Sequence, residues 1–225
     1  MRKDLTELVF ILDRSGSMRG LEADTIGGFN SLIEKQKKED GEAVVSVVLF
    51  DGVQEILYDR ERLSRIGLMT DKQYYVRGNT ALLDAVGGAI HHIGNVHKYT
   101  REEDRPGKTL FIITTDGMEN ASRRYTYEEV KHMVEHEKEK YGWEFLFLGA
   151  NMDAITVAHR FGINADRAVR YECDQEGISL NYRTLSRTVS VMRRSSEPTA
   201  AKAFSREADD WADEIREDYM RRHNR

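Results

Sequence analysis

Proline and cysteine are almost absent from this 225-residue chain, which contains 2 prolines and 1 cysteine. So little proline, beside an ordinary glycine count of 17, excludes a collagen-like stretch and argues against a disordered linker. The single Cys173 has no partner for an internal disulfide, which fits a reducing compartment. We therefore expect a compact cytoplasmic protein in which Cys173 serves as a small packing residue.

Long apolar runs and dense basic blocks are missing as well. No stretch approaches the ~20 apolar residues that a membrane helix needs, and the apolar run 8–12 is too short for a secretory signal. Lys+Arg 34 against Asp+Glu 39 gives a formal net charge of -5, so we predict neither a membrane protein nor a nucleic-acid-binding protein. Because cations suit helix C-termini, five late arginines are interpreted as solvated helix ends: Arg193, Arg194, Arg221, Arg222 and Arg225.

Short β-rich apolar segments alternate along the chain with segments long enough for helices. The strand candidates are 8–12, 44–50, 110–114 and 145–148, with 168–171 weaker. Such alternation is typical of a parallel sheet covered by helices on both faces. Asp51-Gly52 is a two-residue hairpin signal before 53–57, which predicts one antiparallel edge strand. The predicted fold is α/β, a doubly wound, mostly parallel sheet.

Apolar residues recur at helical spacing in three segments that come after the predicted strand 145–148. Asp153 is predicted to cap a short helix that Gly162 ends. Later, apolar positions between 178 and 192 predict one helix, Glu197-Pro198 interrupts it, and a stripe from Phe204 to Tyr219 predicts a second. We therefore divide the chain into a sheet domain, 1–172, and a C-terminal helical extension, 173–225, packed on that domain. A partner-binding arm is the alternative for these helices.

A carboxylate and two hydroxyls follow the first predicted strand, as Asp13, Ser15 and Ser17. Loops at the carboxyl edge of an open parallel sheet are where ligands bind. Two further segments lead to the same edge, one carrying Thr80 in a glycine-led loop and one carrying Asp116 after a strand. These hard oxygen ligands suit Mg²⁺, with Mn²⁺ or Ca²⁺ as alternatives, and do not suit zinc. The sequence therefore predicts one metal site at Asp13, Ser15, Ser17, Thr80 and Asp116.

The three segments resemble the loops of the metal-ion-dependent adhesion site (MIDAS) of von Willebrand factor type A (VWA) domains. The resemblance covers roughly residues 6–171 and rests on Asp-x-Ser-x-Ser at 13–17, Thr80 in its loop, and Asp116 in a Thr-Asp-Gly run. It implies that the two serines and the threonine contact the ion, while the aspartates act mostly through water. The main departure is Asn79, where many relatives have glycine.

The resemblance also implies a protein-binding module, in which the ion captures an Asp or Glu side chain of a partner. Stand-alone prokaryotic members look like assembly or regulatory partners, sometimes working with ATPases. No catalytic residue is predicted. Side chains bordering the site are interpreted as capping or turn residues, namely Glu119, Asn120, Asn151 and Asp153. His132 and His136 lie four residues apart outside any HExxH motif, so we interpret them as a solvated helix face.

A metal-dependent phosphohydrolase of the haloacid dehalogenase type is the alternative function, because a nucleophilic aspartate at the end of a first strand also opens that site. That chemistry usually needs a second carboxylate two residues later as general acid, and Ser15 occupies the position. Nucleotide binding has less support, since neither GxGxxG nor GxxxxGK[ST] occurs.

Overall fold

One six-stranded sheet organises the fold in a computed structural model, which describes residues 1–150 and 152–223. The strands are β1 (Arg2–Asp13), β2 (Glu42–Phe50), β3 (Gln54–Arg62), β4 (Pro106–Thr115), β5 (Glu144–Gly149) and β6 (Ala168–Arg170). The α-helices are α1 (Glu22–Gln36), α2 (Leu82–Tyr99), α3 (Tyr127–Tyr141), α4 (Ala154–Arg160), α5 (Gln175–Arg194), α6 (Ala200–Glu207) and α7 (Asp213–His223).

The strand order is β3-β2-β1-β4-β5-β6, and only β3 runs antiparallel to its neighbour. The predicted α/β class and the antiparallel edge strand are therefore confirmed. The first strand is longer than predicted, since it begins at Arg2 rather than at Leu8. Its first half is polar, yet Leu5 pairs with Glu42 of β2 and Thr6 with Lys108 of β4, so backbone pairing extends the strand beyond its apolar run.

Strand β1 is buried on both faces of the sheet. Phe10 and Leu12 belong to one core with α1 and α5, and the Phe10 and Phe29 rings meet edge to face at 5.4 Å. Val9 and Ile11 belong to a second core with α2, α3 and α4. Because alternate side chains of a strand point to opposite faces, one apolar run supports both layers. This double burial fixes the carboxyl end of β1, where Asp13 stands.

The C-terminal helices pack in the same core as α1, with Leu185 of α5 and Phe204 of α6 fully buried. The prediction of one helix along the Phe204–Tyr219 stripe is wrong, because α6 ends at Glu207 and α7 begins at Asp213. Trp211 lies in the break, where its indole nitrogen donates to the Asp166 carbonyl at 2.8 Å. A buried indole needs such an acceptor, and here the non-helical segment between α6 and α7 makes the bond to a distant carbonyl. The division of the chain at 172/173 stays a prediction.

The late arginines do not all form solvated helix ends. Arg193 is buried, and it donates to the Gln36 carbonyl at 2.5 Å and to the Gly41 carbonyl at 2.9 Å, so its interpretation as solvated is wrong. Arg222 is also largely covered and pairs with Asp174 at 2.6 Å. The chemical reason is that α5 and α7 end against other elements whose acceptors can satisfy a guanidinium. Arg194 and Arg221 are exposed as predicted, while Arg225 lies outside the described residues.

Over residues 1–150 and 152–223, no helix combines the length and the apolar character needed to span a bilayer.

Candidate metal centre

Asp13 ends β1 at the centre of the sheet and is 1% exposed. One carboxylate oxygen accepts the Ser15 backbone amide at 2.7 Å, and the other accepts the Thr115 hydroxyl at 2.5 Å. One donor lies in the turn after β1 and the other is the last residue of β4, so Asp13 ties that turn to the end of β4. The Tyr74 hydroxyl, itself buried, donates to the Asp13 carbonyl.

Ser15 and Ser17 follow in a tight turn that contains a short 3-10 helix, Gly16–Met18. Their hydroxyl oxygens lie 3.0 Å apart, and the Ser17 hydroxyl donates to Oδ1 of Asp116. Ser15 is buried whereas Ser17 reaches the surface. The turn after β1 and the turn after β4 therefore meet at these hydroxyls, and the site opens to solvent on the Ser17 side.

The Thr80 loop meets the first loop through backbone contacts. The Gly16 amide donates to the Gly78 carbonyl at 3.1 Å, and Gly78 has φ +68°, a conformation that favours glycine. The Thr80 amide donates to the Asn120 side chain at 2.9 Å. Asn79, the departure from the family pattern, leaves Thr80 in place within the cluster.

The three hydroxyls surround one small space beside Gly117. A Cβ atom built on Gly117 would lie 2.7 Å from Thr80 Oγ1, 3.1 Å from Ser17 Oγ and 3.4 Å from Ser15 Oγ. Only a residue without a side chain leaves that space open. Three neutral oxygens within 3.4 Å of one point, next to two carboxylates, match the hard oxygen ligands that Mg²⁺ and Ca²⁺ prefer.

The two carboxylates of the site are buried without a cationic partner. Burial raises the pKa of Asp13 and of Asp116, while hydrogen bonds from Thr115 and Ser17 respectively work in the opposite direction. Among the described residues neither carboxylate forms a salt bridge. A buried carboxylate that lacks a counter-charge is stabilised by a bound cation, so the electrostatics agree with the geometry.

A cluster of charged side chains, named here the arginine clamp, contacts the loops that carry the hydroxyls. It consists of Arg14, Asp51, Glu55 and Arg77. Arg14 is fully buried and donates to Asp51 at 3.0 Å and to Glu55 at 2.8 Å, while Arg77 donates to the same Asp51 oxygen at 2.7 Å. The hydrogen bond to Asp51 raises the pKa of the Arg77 guanidinium. The ring of Tyr75 lies 5.4 Å from each guanidinium.

Side chains around the site have the capping roles predicted for them. Glu119 accepts the Leu83 amide at 2.9 Å at the start of α2, and Asp153 accepts the Thr156 amide at 3.1 Å at the start of α4. Asn120 holds Thr80, as described above. Asn151 lies outside the described residues.

All five predicted ligands, Asp13, Ser15, Ser17, Thr80 and Asp116, are brought together by the fold; that they bind a metal stays a prediction. Sequence reasoning missed Thr115, whose hydroxyl orients Asp13, although its place beside Asp116 was visible. It also missed Cys173, whose thiol donates to Asp116 at 3.4 Å. Burial and the neighbouring carboxylate raise the pKa of the Cys173 thiol to about 12, which fits the predicted unreactive role.

The histidines do not build a second centre within the described part of the chain. His132 and His136 are exposed on α3, with ring centroids 6.5 Å apart, as expected for a solvated face. Over residues 1–150 and 152–223, no group of three or more His, Cys, Asp or Glu side chains is arranged to hold a metal ion. The candidate centre differs from such groups, because it combines three hydroxyls with only two carboxylates.

Comparison with known proteins places the fold. No family model matches the sequence, and no curated protein matches it. The von Willebrand factor domain of the type V pili tip protein Mfa5 from Porphyromonas gingivalis superimposes with a TM-score of 0.61 at 10% identity, covering 88% of this chain and 99% of that one. A von Willebrand factor type A structure from Catenulispora acidiphila gives 0.56 at 14% identity, covering 84% and 43%.

Proximal thread matrix protein 1 from the mussel byssus also matches, with a TM-score of 0.56 at 11% identity. The match covers 84% of this chain and 47% of the mussel protein, so the chain spans about half the length of that protein. A further structure of the mussel protein has a zinc-occupied MIDAS motif. At these identities the likeness shows the fold.

Proposed function

Because the chain has the von Willebrand factor type A fold, we propose that it is a divalent-metal-dependent protein-binding module. One Mg²⁺ ion is held by Asp13, Ser15, Ser17, Thr80 and Asp116, and it captures an Asp or Glu side chain of a partner protein. The observation that carries this proposal is the convergence of three hydroxyl oxygens on one point beside two buried carboxylates without cationic partners.

The chemistry of the ligands supports capture of an acidic residue. Ser15, Ser17 and Thr80 supply neutral oxygens, so a bound ion keeps more of its charge than it would among carboxylates alone. Asp13 is held by two hydrogen bonds and orients the loop, whereas Ser17 leaves the site open at the surface. The bound metal supplies a positive charge that attracts an anionic side chain. Mn²⁺ and Ca²⁺ share the preference for oxygen and are the other candidates.

A binding role is proposed over hydrolysis because Asp13 is poorly placed to attack a substrate. Both of its carboxylate oxygens accept hydrogen bonds, and the side chain is buried. Ser15 stands where a general acid would be needed. We expect no hydrolysis of phosphate esters above that of a Ser15→Ala, Ser17→Ala variant; metal-dependent turnover lost in Asp13→Asn would favour the enzyme instead.

The proposed capture is tested by binding with and without the metal. Immobilised protein is exposed to a cell extract in Mg²⁺ and in EDTA, beside Asp13→Ala and the exposed-loop control Asp71→Ala. Proteins retained by the wild type and the Asp71 variant only in Mg²⁺ are then purified, and their acidic residues are replaced one at a time. We expect one replacement to abolish binding. Binding that persists in EDTA and survives every replacement would contradict capture through the metal.

A further inference from the structure

The arginine clamp connects the loops that supply the hydroxyls. Asp51 follows β2, yet its carboxylate accepts from Arg14 of the first loop at 3.0 Å and from Arg77 of the second at 2.7 Å. Its backbone carbonyl also accepts the amide of Ala81, next to Thr80, at 2.7 Å. We infer that Asp51 is a positioning residue of the metal site, which holds the Thr80 loop against the Ser15–Ser17 turn. The inference rests on the proposed function in that its purpose is metal binding.

Backbone hydrogen bonds also join the two loops that the clamp connects. The Arg77 amide donates to the Arg14 carbonyl at 2.9 Å, and the Gly16 amide donates to the Gly78 carbonyl at 3.1 Å. Arg14 thus meets Arg77 through the main chain and through their shared acceptor, Asp51. A loop held at both its backbone and its side chain keeps the Thr80 hydroxyl in place before an ion arrives, and such outer contacts commonly set metal affinity.

The clamp is also electrically balanced. Arg14 and Arg77 carry two positive charges, which would repel a divalent cation, and Asp51 and Glu55 carry two negative charges that offset them. Arg14 depends on this balance because it is fully buried. Asp51→Asn would leave Arg14 underpaired in the interior and is expected to weaken the fold itself. The decisive substitutions therefore belong at Arg77, whose side chain is 42% exposed.

Arg77→Gln distinguishes an effect of loop positioning on metal affinity from an effect of charge, because the two change the affinity in opposite directions. Removing a positive charge near the site favours a cation, whereas releasing the Thr80 loop disfavours it. If Asp51 acts through positioning, Arg77→Gln weakens Mn²⁺ binding by roughly 10-fold or more. Arg77→Lys, which keeps the charge and one donor nitrogen, should recover most of the affinity. Arg19→Gln removes the same charge from an exposed arginine after the serine turn and should leave the affinity unchanged or slightly higher.

The experiment measures the Mn²⁺ dissociation constant by calorimetry for the full chain and these three variants. Hydrogen exchange of the Gly16 and Ala81 amides is followed in EDTA, because these amides report loop contact without any metal. Faster exchange and weaker Mn²⁺ binding in Arg77→Gln, with rescue by Arg77→Lys, support the inference. Equal or tighter binding in Arg77→Gln, or unchanged amide exchange, would overturn it. If the wild type binds no Mn²⁺, the proposed function fails, and the exchange rates alone decide whether Asp51 holds the loop.

Discussion

Strand β1 carries two buried carboxylates, Glu7 in its first half and Asp13 at its end, and their surroundings differ. Glu7 is fully buried between Arg60 and His97, with one contact of 2.5 Å to each. Asp13 is equally buried, but its hydrogen bonds come from a backbone amide and a hydroxyl. Among the described residues, the protein therefore supplies a counter-charge at Glu7 and none at Asp13.

The difference separates the ionic cluster around Glu7 from the candidate metal site around Asp13. Trp143 packs against the His97 ring at 5.2 Å and closes the Glu7 cluster from the side. At the other end of the strand, Ser17 opens the Asp13 region to solvent. Burial of charge alone does not indicate a site; burial without a partner and with an open approach does.

The sharpest test of this comparison is Asp13→Ala, which should abolish divalent-cation binding while the fold is retained. The carboxylate is the group that the ion would stabilise, and it also orients Ser15 and Thr115. Calorimetry with Mg²⁺ and Mn²⁺ gives the affinity, and circular dichroism checks the fold. Unchanged affinity would show that Asp13 does not take part in binding the cation.

Glu7→Gln should have the opposite effects to Asp13→Ala: a large loss of stability without loss of metal binding. Removing the charge leaves Arg60 and His97 without their partner, which typically costs about 3 kcal/mol for a buried pair that partly reaches solvent. The Arg60 side chain is 23% exposed, which keeps the cost at this lower end. Urea denaturation should show the same loss in EDTA and in Mg²⁺. A loss confined to Mg²⁺ would mean that the two carboxylates do not act separately.

The smallest effect is expected from Asp116→Asn, which should slightly raise the stability of the metal-free protein near neutral pH. Because burial raises the pKa of Asp116, its charge opposes folding above that raised pKa. As the pH falls, the wild type takes up the proton and the gain from the substitution should shrink. Thermal melts in EDTA across pH measure the gain, and Mg²⁺ should reverse it. A variant less stable than wild type in EDTA would show that the charge is already compensated.

Those features of the fold and of the candidate site that depend on local sequence were predictable. The strand–loop step at Asp13, the hairpin at Asp51-Gly52 and the cap at Asp153 each combine residue type with immediate neighbours, and all three occur in the structure. The hairpin loop is one residue longer than predicted, because β3 begins at Gln54 and not at Val53. The five candidate ligands were also named from the sequence. The loops of Asp13 and Asp116 follow the carboxyl ends of β1 and β4, and the family resemblance added Thr80.

What could not be predicted are pairings that depend on how distant segments are placed. Arg14 and Asp51 are 37 residues apart, and nothing near Arg14 in the sequence distinguishes it from a solvated arginine. Arg193 was misinterpreted for the same reason, since its acceptors, at the end of α1 and just after it, lie 157 and 152 residues earlier in the chain. The break at Trp211 likewise depends on the Asp166 carbonyl, which only the folded chain brings near.

The space beside Gly117 means that the presence of all five ligands does not guarantee a working centre. An alanine there would bring a methyl group to 2.7 Å from Thr80 Oγ1 and close to both serine hydroxyls. Every oxygen would remain in the sequence, while the room between them would be filled. A related protein with Asp-x-Ser-x-Ser, the threonine and the aspartate could thus fail to bind a metal because of one added carbon atom. The presence of all five ligands in its sequence would not reveal that loss.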